Sequence, residues 1–320
     1  MRITLLVCLL ATLAPAYAAP GREPLNFLFA DSDSLAPHAR TLERADIAGV
    51  QIVYTWKSLE PAPDEYDFSQ IETDLRFLSQ RGKKLFVQVQ DRFFLPTARN
   101  VPRYLLERPE YGGGLAPQAD NPGEGQPEGH GWVAMQWNAA VRARFQALLR
   151  ALARRFDGRV YGINLPESSA DIDRENDRTG FDCDAYFAAE MENARVARQA
   201  FRESRVVQYV NFWPCEWNDD RRYMSRFFEF AARQRLGLGG PDIVPWQRAQ
   251  MNNSYPFFNR YRGRLDVVAM AVQEPTLTYT NPKTQRKFTR AEFVEFARDY
   301  LGVDIIFWSL ASPWLADAPN

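Results

Sequence analysis

The chain has 320 residues, 46% of them hydrophobic and 13% aromatic, which is ample for a sizeable core and excludes a disordered protein. Its 39 basic and 40 acidic residues leave a formal net charge of −1, so charge points to no nucleic-acid partner and no membrane surface. With only His38 and His130, the chain is poorly supplied for histidine-based zinc chemistry or a Ser-His-Asp arrangement.

The first 18 residues, MRITLLVCLLATLAPAYA, read as a cleaved secretory signal. They combine a short basic start, an apolar run of about 12 residues and the small-x-small site Ala16-Tyr17-Ala18. Cys8 follows Val7, where a lipid-anchor signal wants a small residue. No later segment is long and apolar enough to span a membrane. Residues 19–320 are then expected to form one domain, secreted or periplasmic, with 38 basic against 40 acidic residues and two cysteines, Cys183 and Cys215. In an oxidising compartment these allow one disulfide, worth roughly 3 to 4 kcal/mol on the chain-entropy argument, or stand as two thiols.

Short β-branched and aromatic runs then alternate with stretches of helical period, the pattern of βα units around a parallel sheet. The strand-like runs are Leu25 to Ala30, Val50 to Trp56, Lys84 to Gln90, Val160 to Leu165, Val206 to Phe212, Gly239 to Val244, Leu265 to Val272 and Val303 to Ser309. Most are nearly continuous in hydrophobicity, as strands buried on both faces should be. Ser69 with Glu72, and Thr289 with Glu292, have capping-box spacing, while Gly82, Gly158 and Gly302 stand where helices should stop. Eight such units predict a closed (β/α)8 TIM barrel, in one domain. An open doubly wound sheet would usually show a Gly-rich first turn, and no G-x-G-x-x-G is present. The Gly/Pro-rich stretch from Tyr111 to Gly131 reads as a long loop after the third strand, either a lid over a cleft or an insertion without a role.

In such a barrel the C-terminal strand ends form the active site, so their side chains carry the functional reading. Two apolar runs end at glutamates, YGINLPES at Glu167 and VVAMAVQEP at Glu274. A carboxyl group at the mouth of a buried strand costs desolvation energy unless it is paired or used. Asp31, Asp33, Tyr54, Trp56, Gln88, Gln90, Asp91, Asn164, Asn211, Trp213, Glu216, Trp217, Asp242, Trp246, Gln273 and Trp308 surround them. Amides and acids bond hydroxyls, and indole faces cover the C–H face of a sugar. Asp31, Asp91, Asn211 and Asp242 also suit loop or cap positions. Glu60 suits a turn that satisfies backbone N–H groups, and Glu216 is a reserve carboxylate.

The segment GVQIVYTWKSLEPAPDEYDFSQIETDLRFLSQRGKKLFVQVQ resembles the second and third strands of retaining (β/α)8 glycoside hydrolases. Trp56, Glu60, Pro61, Tyr66, Asp67 and Phe68 carry that match. DIIFWSL, with Trp308, is similar to their eighth strand, and GLGGPDIVPW, with Trp246, to their sixth. The resemblance implies a glycosidase needing no cofactor. It also implies Glu167 as acid/base after strand four and Glu274 as nucleophile at the end of strand seven, with Trp56, Gln88, Gln90, Asn164, Asn211, Trp246, Gln273 and Trp308 around a carbohydrate substrate.

This sequence departs from the family where Leu165 and Pro166 separate Asn164 from Glu167, in place of an Asn-Glu dipeptide. Regular alternation also sends Gln273 and Glu274 to opposite faces. A non-catalytic carbohydrate-binding protein on a degenerate barrel is the alternative, and a carboxylate-only Mg or Ca enzyme would need several acids converging on one point.

Overall fold

The computed structural model describes residues 22–30, 35–119 and 131–316. The proposed signal, Asp31, Asp33 and His130 lie outside the described residues. Eight parallel strands close into a barrel. They are β1 (Leu25–Ala30), β2 (Ile47–Thr55), β3 (Lys84–Gln90), β4 (Gly162–Leu165), β5 (Arg205–Tyr209), β6 (Gly237–Gly240), β7 (Val268–Val272) and β8 (Ile305–Ser309). Each pairs with its neighbours in sequence, and β8 returns to β1 with Leu25 opposite Ile305. Every run expected from the sequence contributes a strand, so the TIM barrel is present. The ends differ: β2 stops at Thr55, β5 at Tyr209 and β6 at Gly240, ahead of Pro241, which has no N–H to continue a ladder.

Two apolar layers divide the strands by alternation. Phe27, Phe86, Val207, Tyr209, Ala269, Ala271, Ile305 and Phe307 fill the barrel. Val50, Ile52, Val87, Val89, Ile163, Leu165, Met270, Ile306 and Trp308 face the outer helical layer. The interior rings are large, with Phe86 and Phe307 edge-on at 5.2 Å. Glycine makes room for them. A Cβ on Gly162 would come within 2.5 Å of the Phe86 ring, and one on Gly239 within 1.8 Å of the Ala269 carbonyl oxygen. Close packing of this kind explains a sixth strand written mostly in glycine.

The principal helices are α1 (Ser69–Ser79), α2 (Ala139–Phe156), α3 (Cys183–Ala200), α4 (Tyr223–Gln234) and α5 (Arg290–Glu295). Ile71, Leu75 and Leu78 of α1 are buried as their spacing predicts. Its expected capping box is absent: Ser69 is already helical and its N–H donates to Asp67 Oδ1, while Glu72 pairs with Arg155 and Arg159 of α2 and the turn after it. The Thr289 box at α5 is formed in full. Within the Gly/Pro-rich region, Leu115–Gln118 and Gly131–Ala134 pair with each other, and the latter pairs with Arg92–Phe93, making a small antiparallel sheet. Cys183, first residue of α3, is disulfide-bonded to Cys215 in the loop after β5. Among the described residues no helix is long and apolar enough to cross a membrane.

Candidate active site

At the C-terminal end the interior changes from apolar to polar. Gln51 and Tyr209 meet across the barrel at 3.1 Å. Gln88 shares the inward side of β3 with Phe86, and Asn164 stands beside it in register on β4. Both are buried, yet Gln88 Oε1 and both polar atoms of Asn164 lack any hydrogen-bond partner. Unsatisfied groups of this kind cost about 1 to 3 kcal/mol each, so they are worth keeping only where something else is bound. Gln90 ends β3 on the same side, partly exposed. Alternation carried past β5 and β7 puts Asn211 and Gln273 on the inward side too.

Glu167 follows Pro166, where the chain leaves strand geometry. Its loop is clamped from both sides. The Ser168 N–H donates to the Tyr209 carbonyl at 3.0 Å, Ser168 Oγ to the Phe212 carbonyl at 2.6 Å, and Tyr186 to the Ser168 carbonyl at 3.1 Å. Arg92 Nη1 donates to the Ser169 carbonyl at 2.7 Å. This guanidinium is fully buried between Asp91 at 3.1 Å and Glu190 at 3.4 Å. Burial opposes its charge, but Tyr186, Asp91, Glu190 and Glu167 together hold it well above its ordinary value. Burial pushes the Glu190 carboxyl up to about 7, because Arg92 offsets only part of the desolvation and Asp91 adds repulsion. The Glu167 side chain is itself only partly covered.

A second carboxyl group joins this end of the barrel. Asp242 lies two residues past β6, partly exposed, with Oδ1 accepting from Thr276 Oγ1 at 2.7 Å. Desolvation raises it, and the Thr276 bond offsets only part of that shift. The Tyr209 hydroxyl, on the strand between, is raised by burial and further by the charges of Asp242 and Glu167, against the opposing Gln51 bond. Among the described residues no group of three or more His, Cys, Asp or Glu could hold a metal ion.

Other expected site residues sit elsewhere. Glu274 lies two residues past the end of β7, is exposed, and opens the short 3-10 helix Pro275–Thr278 without its carboxylate accepting a capping bond. Trp56 is fully buried as the first residue of a short helix, with its indole N–H on Glu60 at 2.8 Å and its ring edge-on to Phe145. Trp308 faces outward, 4.9 Å from Trp314, its N–H on Asn26 at 2.9 Å. Neither indole floors the mouth. Trp246 is half-exposed but leans on Phe296 and Tyr300 of the turn after α5. Glu216 is spent on the Tyr223 and Met224 N–H groups at 2.5 and 2.9 Å, capping α4. Glu60 is buried against Arg144 and the Trp56 indole.

Arg92 and Tyr209 were not singled out from the sequence. The signal for Tyr209 was a polar atom at alternate spacing with Val207 and Asn211, and for Arg92 a charge two residues past a buried strand.

No family model matches the chain, and no curated protein does. Solved structures match its fold. They include the catalytic domain of β-amylase from Paenibacillus polymyxa, with TM-score 0.59 and 9% identity over 91% of this chain and 93% of that one. A GH10 endoxylanase retrieved from a sugarcane soil metagenome matches with TM-score 0.54 and 10% identity, over 92% and 89%. Endo-glycoceramidase II from Rhodococcus sp. matches with TM-score 0.52 and 14% identity, over 92% and 74%. At such identities the likeness is one of fold alone, a closed barrel of eight parallel strands.

Proposed function

We propose that this chain is a glycoside hydrolase that cleaves an oligo- or polysaccharide with two carboxyl groups, Glu167 being one of them. The observation that carries the reading is the placement of Glu167. A clamped loop holds it past the C-terminal end of β4, the strand whose Asn164 pairs in register with Gln88, and the buried amide atoms of those two residues have no partner. Those amides are neutral donors and acceptors, suited to the hydroxyls of an uncharged sugar. The chemistry needs one carboxyl group that protonates the leaving oxygen and one that acts at the anomeric carbon. Solved proteins of this fold include a β-amylase and endoxylanases, so malto- and xylo-oligosaccharides head the substrate panel. Export from the cytoplasm after loss of residues 1–18 is part of the proposal, and the Cys183–Cys215 bond supports it.

A screen of the mature protein against xylo-, malto- and cello-oligosaccharides and nitrophenyl glycosides tests the activity. Glu167→Gln should lower kcat on the substrate so found by about 10²- to 10⁴-fold while leaving the melting temperature close to that of the parent. Unchanged turnover would remove Glu167 from the mechanism. A second reading, a sugar-binding protein without catalysis, is favoured by the solvent exposure of Glu274. It predicts oligosaccharide binding, measured by calorimetry, with no product released.

A further inference from the structure

We infer that Asp242 is the second carboxyl group of this site, the proton donor to the glycosidic oxygen, and that Glu167 is the carboxylate acting at the anomeric carbon. The inference rests on the hydrolase reading and replaces Glu274 as the partner.

The first support is position. Glu167 follows β4, Asp242 follows β6, and the inward Tyr209 of β5 lies between them and feels the charge of both. Glu274, by contrast, is exposed at the start of a short 3-10 helix beyond the end of β7.

The second is the state of the carboxyl group. Protein surrounds Asp242, yet part of its surface remains open. Thr276 holds Oδ1, Tyr255 donates to the backbone carbonyl at 3.0 Å, and among the described residues no donor reaches Oδ2. One oxygen is fixed, and the other is left for a ligand.

The third is the contrast between the two environments. The titratable groups that reach Asp242 are Tyr209, which feels its charge, and Tyr255, which donates to its backbone carbonyl; among the described residues no cation offsets its desolvation. Desolvation is therefore opposed only by the Thr276 bond and favours the protonated form. Glu167 instead shares its surroundings with the buried Arg92 cation. The carboxyl group without a cation is the one suited to donate, and Glu167, beside Arg92, takes the other role.

In the step itself the bond between the anomeric carbon and the glycosidic oxygen breaks. Its electron pair stays on the oxygen, which takes the Asp242 proton. Glu167 either bonds to the anomeric carbon, to be displaced later by water that returns a proton to Asp242, or draws a proton from a water that bonds there directly. Both routes consume one water and need no other reactant. The product anomer, read by proton NMR, separates them.

The test compares Asp242→Asn, Glu167→Gln and Glu274→Gln on an oligosaccharide from the panel and on the 2,4-dinitrophenyl glycoside of the same sugar, whose leaving group needs no proton. Asp242→Asn should lose about 10²-fold or more on the oligosaccharide but less than about 10-fold on the dinitrophenyl glycoside, and should lose the alkaline limb of the pH profile. Glu167→Gln should lose both activities, and Glu274→Gln neither. Full oligosaccharide activity in Asp242→Asn overturns the assignment while the hydrolase reading survives through Glu167. Equal loss on both substrates overturns the donor role, which a merely structural aspartate would mimic. A wild-type protein that cleaves nothing in the panel overturns both readings. Should Asp242→Asn not fold, Thr276→Val serves: it frees Oδ1, and the donor role requires the alkaline limb to move with an unchanged dinitrophenyl rate.

Discussion

Five carboxyl groups that look alike in the sequence part company once their neighbours are known. Glu60 is buried on Arg144, Glu216 caps a helix and Glu274 stands in solvent, while Glu167 and Asp242 border the mouth. What decides among them is which donors reach the oxygens, a long-range property that a linear motif does not carry. Glu190 shows the energetic side of the same rule. Its ordinary value is 4.5, and the folded state raises it to about 7, because burial outweighs its share of Arg92. A carboxyl raised in the folded state adds stability that is complete below about 4.5 and is lost as pH climbs through about 7. Urea midpoints of wild type and Glu190→Gln measured between pH 4.5 and 8 should therefore diverge. Wild type should lose up to about 1.4 kcal/mol per pH unit relative to the variant inside that window. Parallel curves would show that Glu190 keeps one protonation state throughout.

At the scale of elements the sequence spoke clearly about strands and poorly about their faces. All eight runs contribute barrel strands, and in all but the glycine-rich sixth it is β-branched and aromatic residues buried on both sides that leave an apolar block. That same two-sided burial hides the inward face. In IIFWS both Phe307 and Trp308 are apolar, and only the structure shows that Phe307 fills the barrel while Trp308 packs behind it. Gln88 and Asn164 were legible as inward precisely where Trp308 was not, since an amide has no reason to face an apolar helical layer. Trp56 went astray for a different reason. Thr55 Oγ1 accepts from the Ser58 N–H at 3.2 Å and starts a helix one residue before the run ends, and Trp56 stays on the outward side with Val50 and Ile52. A sugar platform and a packing residue respond differently to substitution. Trp308→Phe should cost about 1 to 3 kcal/mol through the lost Asn26 bond and a partial void against Trp314, with KM for the panel substrate unchanged. A several-fold rise in KM at constant stability would return the indole to the cleft.

For the molecule as a whole, the barrel is a rigid frame, and the candidate site is built on the loops that follow it, where sequence patterning is weakest. One covalent tie crosses that region. The Cys183–Cys215 bond, spanning 32 residues of sequence, fastens the start of α3 to the loop after β5. Phe212 lies in that loop and accepts the Ser168 hydroxyl beside Glu167, while Tyr186, in the first turn of α3, donates to the Ser168 carbonyl. The disulfide thus joins the two segments that together clamp the Glu167 loop, and its loss should be felt in stability and in catalysis at once. A closed loop of this length is worth about 3 to 4 kcal/mol of unfolded-state entropy. The double variant Cys183→Ser, Cys215→Ser should melt about 5 to 10 °C lower. At a temperature where it is still fully folded, its kcat should fall while the alkaline limb set by Asp242 stays in place, because the tie grips the Glu167 side of the mouth. Equal melting temperatures in scanning calorimetry would mean that the unfolded chain gains no freedom from the cut. A lower melting temperature with unchanged kcat would confine the bond to holding the fold and leave the Glu167 loop to its hydrogen bonds alone.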